Sequence, residues 1–245
     1  SDTGRREKKE KTKHGERVER MKEVKDEIDV ALDEVREDVE KRKKLDLDAR
    51  IQAYVITEQG KYIAADQAYA TQLQQWSQQP GNRRGPKPQK PPMLNSPFNE
   101  VAVRQVARTE FLASATFLQP WEDELQKKIV EAYADILTRL KQSKSGPQKE
   151  LFNEVEKRRK EMAKHALRNV NKSKTDYVDS KTHPHKSYKL KKSIEILDDV
   201  LDDWQGEYGS VQQDLNPEGK EIFDWDIERD ALLQRVDTLK KQLEV

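Results

Sequence analysis

The sequence predicts an all-α protein: an elongated helical bundle or coiled-coil chain with a central αα-hairpin and a proline-rich connector. Three observations carry that expectation. Hydrophobic residues make up 33% of the 245 positions and charged residues 38%, against roughly 45–50% and 25% in ordinary globular domains. Each element therefore has material for only one narrow apolar stripe, the pattern of coiled coils and slender bundles. Apolar residues recur at intervals of three and four through most of the chain. Nine glycines and few β-branched runs speak against a sandwich or barrel.

Residues 1–44 read as a charged heptad helix. Val18, Met21, Ile28, Leu32, Val35 and Val39 step by three and four, with Lys25 in the one missing place. Val18, Lys25, Leu32 and Val39 then occupy a positions and the others d positions; a lysine at a costs stability but selects register or partner number. Residues 45–79 read as a second, amphipathic helix on Leu47, Ile51, Tyr54, Tyr62, Tyr69, Leu73 and Trp76, with Ala65 in step and Glu58 breaking the period. The competing expectation is a β-hairpin over 53–64, with strands at Ala53–Thr57 and Lys61–Ala64 around Glu58, Gln59 and Gly60.

Six prolines between Pro80 and Pro97 exclude a helix there. Residues 80–97 are expected to be an extended connector, either a semi-rigid spacer or a strap along a neighbour. Pro88 and Pro91 form a PxxP without the basic residue that SH3 ligands place beside it, which favours a connector over a peptide ligand.

Residues 98–172 are the predicted core. Val101, Ala102, Val103, Val106, Ala107, Phe111, Leu112, Ala113, Phe117 and Leu118 leave little polar circumference, so this helix is expected to be covered. Pro120 is expected to open the next helix, with Glu122, Asp123 and Glu124 in its first turn. Leu125, Ile129, Ala132, Tyr133, Ile136, Leu137 and Leu140 form its stripe. A turn at Ser143–Pro147 and a return helix on Leu151, Phe152, Val155, Met162, Ala166 and Val170 complete the hairpin.

A basic linker (173–189), an acidic amphipathic helix (190–208) and a C-terminal heptad helix (216–245) follow. The last carries Ile222, Trp225, Leu232, Val236, Leu239 and Leu243, with Arg229 in one a place. These six residues and the seam of the first helix are the candidate protein-association surface. Pairing with each other, with copies or with another protein all fit.

Chemistry is sparsely signalled. There is no cysteine, hence no disulfide, thiolate ligand or cysteine nucleophile. No P-loop, dinucleotide turn, H-E-x-x-H or G-x-S-x-G is present, and so little apolar material leaves few places for a water-excluding pocket. No catalytic residue, metal site or cofactor is expected. His183 and His185 are two ligands where a metal needs more. Asp198, Asp199, Asp202 and Asp203 lie on a straight helix that cannot wrap a cation, and read as a solvated acidic face.

The charge pattern is sharper. Between Lys157 and Lys192 thirteen basic residues face three acids, 13 − 3 = +10; between Glu195 and Asp230 two basic residues face thirteen acids, 2 − 13 = −11. Three explanations compete. The blocks attract each other within the chain or between copies; or Lys157, Arg158, Arg159, Lys160, Lys164, Arg168, Lys172 and Lys174 contact nucleic-acid phosphates; or charged faces keep a slender protein soluble. Lys157-Arg158-Arg159-Lys160 also resembles a nuclear import patch.

The string Val106-Ala107-Arg108-Thr109-Glu110 is similar to one found in phage minor head proteins of the portal-associated type. It covers five residues, and the tryptophan and histidine pattern of that family is missing downstream, so it implies no family here. The expected function is that of a non-enzymatic structural or assembly protein, a scaffold or adaptor within a virion or other large complex. Its partners would be copies of itself or other subunits; a nucleic-acid binder using 157–192 is the alternative. The hydrophilic start and the short apolar runs predict neither a secretory signal nor a membrane span, and so a cytoplasmic place or one inside an assembled particle.

Overall fold

The computed structural model describes residues 2–170, 195, 198 and 222–244. The predicted linker 173–189, most of the predicted acidic helix, and Lys172 and Lys174 lie outside the described residues. Described are α1 (Asp2–Gln78), a 3-10 turn (Pro92–Leu94), α2 (Glu100–Ala113), α3 (Ala115–Gln142), α4 (Gly146–Val170) and α5 (Trp225–Glu244). The protein is mostly helical, and no strand occurs among the described residues. It divides into two compact units, one built from residues up to Glu37 and from Leu125 onward, the other from Asp38–Glu124.

The first correction concerns α1. Two helices, or a helix and a hairpin over 53–64, were the expectations; one helix of 77 residues runs through both segments. No proline interrupts it before Pro80, and the residue before a proline is steered out of the helical region. Glu58, which breaks the apolar period, stays on the inner face, partly buried, and accepts a hydrogen bond from Lys61 at 3.0 Å. Leu47, Ile51, Val55, Tyr62, Ala65, Tyr69, Leu73 and Trp76 then hold one buried or half-buried face in helical phase. A hairpin would have split that face, and Gly60 costs a helix only about 1 kcal/mol.

The connector straps α1. The Arg84 guanidinium donates to the carbonyls of Ser77 (2.9 Å) and Gln79 (3.2 Å), filling acceptors that a helix end leaves open. The same guanidinium lies 4.9 Å from the Trp76 ring, and Trp76 Nε1 donates to the Gly85 carbonyl at 2.8 Å. Further on, the Tyr62 hydroxyl donates to the Ser96 carbonyl at 3.2 Å, its ring sits 5.9 Å from Phe98, and Leu94 is buried.

In this unit Leu47, Ile51, Val55, Ala107 and Phe117 form the core, with Tyr54, Phe98, Val103, Phe111, Leu118 and Trp121 packed around them. Trp121 Nε1 donates to Asp46 at 3.0 Å, and Arg42 lies 5.9 Å from its ring. Asn99 starts α2 by accepting from the Ala102 amide at 3.1 Å. Pro120 does not open a helix: α3 already begins at Ala115, after Ser114 in extended conformation. The Ser114 carbonyl accepts from the amides of Phe117 and Leu118. Seating Phe117 in the core starts the helix early, and Pro120 inside it costs one backbone bond.

The other unit is bundle-like. Met21, Val24, Ile28 and Leu32 of α1, Ile129, Tyr133, Leu137 and Leu140 of α3, and Leu151 and Val155 of α4 meet Ile222, Phe223 and Ile227 in one buried cluster. α1, α3 and α4 each contribute residues three or four apart, so each buries a single stripe, and α5 adds Ile227. Val18, Val35, Trp225 and Leu232 pack against this cluster. Val236 is buried too, Leu239 is half-buried, and Leu243 falls in the last turn of α5; Val39, which belongs to the unit of Asp38–Glu124, is buried there. The two candidate association seams are thus largely covered by this chain's own helices.

Leu32→Ala should lower unfolding stability by about 3 kcal/mol, a typical cost for emptying a leucine site. Val30→Ala on the exposed face of the same helix should change it by less than about 0.5 kcal/mol. Guanidinium unfolding monitored by circular dichroism measures both.

Candidate functional site

Two arrangements stand out: a set of charges buried where α5 begins, and an uncovered face on α2. The first starts from Lys25, 5% exposed. Its ammonium donates to Asp29 and lies 3.6 Å from Asp224. Asp224 also accepts from the Ile227 amide at 3.2 Å, capping α5. One turn on, Glu228 is 6% exposed and receives Arg159 of α4: Nε at 2.9 Å from both carboxylate oxygens and Nη2 at 2.7 Å from one. Such a fork-shaped pair is among the stronger hydrogen-bonded contacts a protein makes.

Burial pushes the Glu228 carboxyl above its ordinary value, although Arg159 pulls it down. Burial works against the Arg159 charge, and the bonds to Glu228 more than restore it. Burial likewise raises the Tyr133 hydroxyl, with Glu228 adding to the effect. Two cations on two helices thus hold two acids at the start of a third. Every charge is matched within the chain, which is the economy of a structural contact.

That arrangement bears on the basic block. Arg159 is taken up by Glu228, and Arg158 is 15% exposed with Nε 3.7 Å from Glu154. Lys157 and Lys160 are exposed; Lys164 and Arg168 fall on the last turns of α4. Four adjacent cations are therefore not presented together to a phosphate backbone. The Arg159–Glu228 pair instead joins the basic block to the acidic block inside one chain. Among the described residues no group of three or more His, Cys, Asp or Glu is placed to hold a metal ion, and no helix is long and apolar enough to cross a membrane.

The second arrangement is a face that sequence reasoning expected to be covered. Helical spacing puts Val103, Ala107 and Phe111 on the inner side of α2, where Ala107 is buried. On the outer side Val101, Ala102, Gln105, Val106, Thr109, Leu112 and Ala113 are all exposed, Val101 by 76% and Val106 by 50%. Ala102, Gln105, Val106, Thr109 and Glu110 line a shallow concavity there. Of the charges on the helix, Glu110 borders this face, Arg104 pairs with Glu100 at 2.8 Å and Arg108 approaches Asp48 at 3.7 Å. Apolar residues fall on both sides of the helix, yet only one side is packed.

Sequence reasoning missed Glu228 and Ile227, because the heptad register assigned to the last helix placed Arg229 inward. The signal that finds them is Ile222-Phe223 followed by Ile227, a spacing of four and five beside the seam. Compared with known proteins, the chain matches no family, no curated protein and no solved structure.

Glu228→Ala strands Arg159 and should cost about 3 kcal/mol, while the double change Arg159→Met with Glu228→Leu should recover most of that loss. The sign of the pH effect follows from the raised carboxyl: the folded form binds this proton more tightly than the unfolded chain. Glu228 therefore contributes stability that is fully present below about pH 4.3, its unfolded value, and lost as pH rises through the higher folded value. In denaturant titrations across pH, Glu228→Gln should remove that decline.

Proposed function

We propose that this chain is a non-enzymatic structural or assembly protein that works through helix-to-helix protein contacts. The observation that supports this reading is the outer face of α2. In a chain with 38% charged residues, Val101, Ala102, Gln105, Val106, Thr109, Leu112 and Ala113 expose an uncharged strip on one helix, with Glu110 at its edge. Uncharged, partly apolar exposed patches mark interaction sites more often than idle surface. The terminal seams proposed from periodicity are a weaker basis, since the chain's own helices cover most of them. The polar clasp around Glu228 fits the same reading, since it ties three helices in register.

The test is mass against concentration. Light scattering of the nuclease-treated chain should show a mass above the monomer that grows with concentration, and Val101→Glu with Val106→Glu should return it to the monomer with helicity unchanged. A monomer at every concentration, identical in parent and variant, would overturn the reading.

A further inference from the structure

We infer that the end of α1 and the connector lying on it form a nucleic-acid contact that binds backbone phosphates through Arg83, Arg84, Lys87 and Lys90. The inference goes beyond the assembly reading and does not depend on it.

Acids make up 46 of the 245 residues, yet the run from Gln67 to Asn99 contains none and carries four cations. The fold keeps that run together. Trp76 Nε1 donates to the Gly85 carbonyl and the Tyr62 hydroxyl donates to the Ser96 carbonyl, so the connector doubles back along the end of α1. All four cations are exposed, and among the described residues none is paired with an acid. Asp66 stands about 15 Å from Trp76 along the helix axis, beyond the roughly 8 Å over which charge acts at physiological salt, and Glu100 is engaged by Arg104. The net charge of +1 gives the whole chain little pull on a polyanion, so this attraction is local.

Arg84 is set in advance. Its Nε and Nη2 donate to the Gln79 and Ser77 carbonyls, and its guanidinium lies against the Trp76 ring. A guanidinium offers several N–H donors in a rigid fork that matches phosphate, and these two bonds leave the rest for an incoming oxygen. Fixing the side chain beforehand removes most of the ordering cost of binding. The carbonyls at the end of α1 carry roughly half a negative charge, which a single cation outweighs, so the surface stays positive.

The neighbouring side chains identify the partner. Protein interfaces centre on apolar or aromatic anchors and are poor in lysine, and a membrane surface takes an apolar helix face beside its cations. Among the described residues of this run only Met93 is a large hydrophobic with high exposure. What lies exposed instead is amide: Gln72, Gln75, Gln78, Gln79, Asn82 and Gln89. Amides and cations are the side chains that donate to phosphate and sugar oxygens, and such contacts hold a backbone without reading its sequence. Interfaces with nucleic acid are polar and positively charged in the same way.

Fluorescence anisotropy of a labelled DNA duplex of about 20 base pairs, titrated with the full chain, tests the contact through its salt dependence. With four phosphates neutralised, affinity should fall about a hundredfold between roughly 50 and 200 mM salt. Arg83→Gln, Lys87→Gln and Lys90→Gln, combined, remove three charges whose side chains bond nothing else among the described residues. This variant should bind at least about tenfold more weakly at the lower salt and lose only about threefold over the same range, with helical circular dichroism unchanged. Lys157→Gln with Lys160→Gln, both exposed on α4, removes charge elsewhere and should leave binding within about twofold of the parent. The inference falls if the parent does not bind at the lower salt, if the triple variant binds like the parent, or if the α4 variant loses as much as the triple one. Tighter binding of labelled polyglutamate than of the duplex would make the surface a site for acidic protein and overturn it as well.

Discussion

A shortage of apolar side chains governs this molecule. With one hydrophobic residue in three, no helix can surround itself with core, and each must share a narrow stripe with several others. The unit that contains α4 and α5 meets that constraint by convergence. Four helices each bring one to four residues to a common cluster, and Ile222 and Phe223 fill it from just before α5. Where apolar material runs out, matched charge takes over: Lys25 occupies a place in the stripe of α1 and is satisfied by Asp29 and Asp224. Paired buried charges add little net stability but penalise misregistered packing heavily, which suits a chain whose stripes are similar enough to be confused.

The second unit answers the constraint with aromatic side chains and caps. Tyr62, Trp76 and Trp121 each pair an apolar body with a polar edge that finds an acceptor in a carbonyl or in Asp46. Arginines cover ring faces at Trp76, Phe117 and Trp121. These contacts let a connector with little hydrophobic content lie against a helix. Val103, Ala107 and Phe111 take the inner side of α2 into this unit's core and leave its outer side bare.

Periodicity told which residues face inward but not what they face. Val18, Met21, Ile28, Leu32 and Val35 belong to one stripe because helical geometry puts them there, and that much is readable from spacing alone. Whether the covering surface comes from the same chain is a property of tertiary structure, and no local pattern encodes it. The same gap explains α1: an irregular period around Glu58 suggested a break, whereas a glutamate on an inner face is tolerated once Lys61 reaches it. Net charge is blind in a related way. The opposed blocks were visible, but a sum cannot reveal that Arg159 is bound to Glu228, or that Lys157 and Lys160 remain exposed. On α2 composition predicted cover on all sides, and the fold supplies cover on one.

The cap at the end of α1 has a further consequence. Helices unravel from their ends, because terminal turns hold the fewest bonds. Arg84 takes the Ser77 carbonyl in the last turn of α1 and the Gln79 carbonyl just beyond it, and is itself stacked on Trp76. The last turn of the longest described helix is therefore held against fraying. It is tied off like a cord at a knot, and the connector leaves the helix from a fixed point.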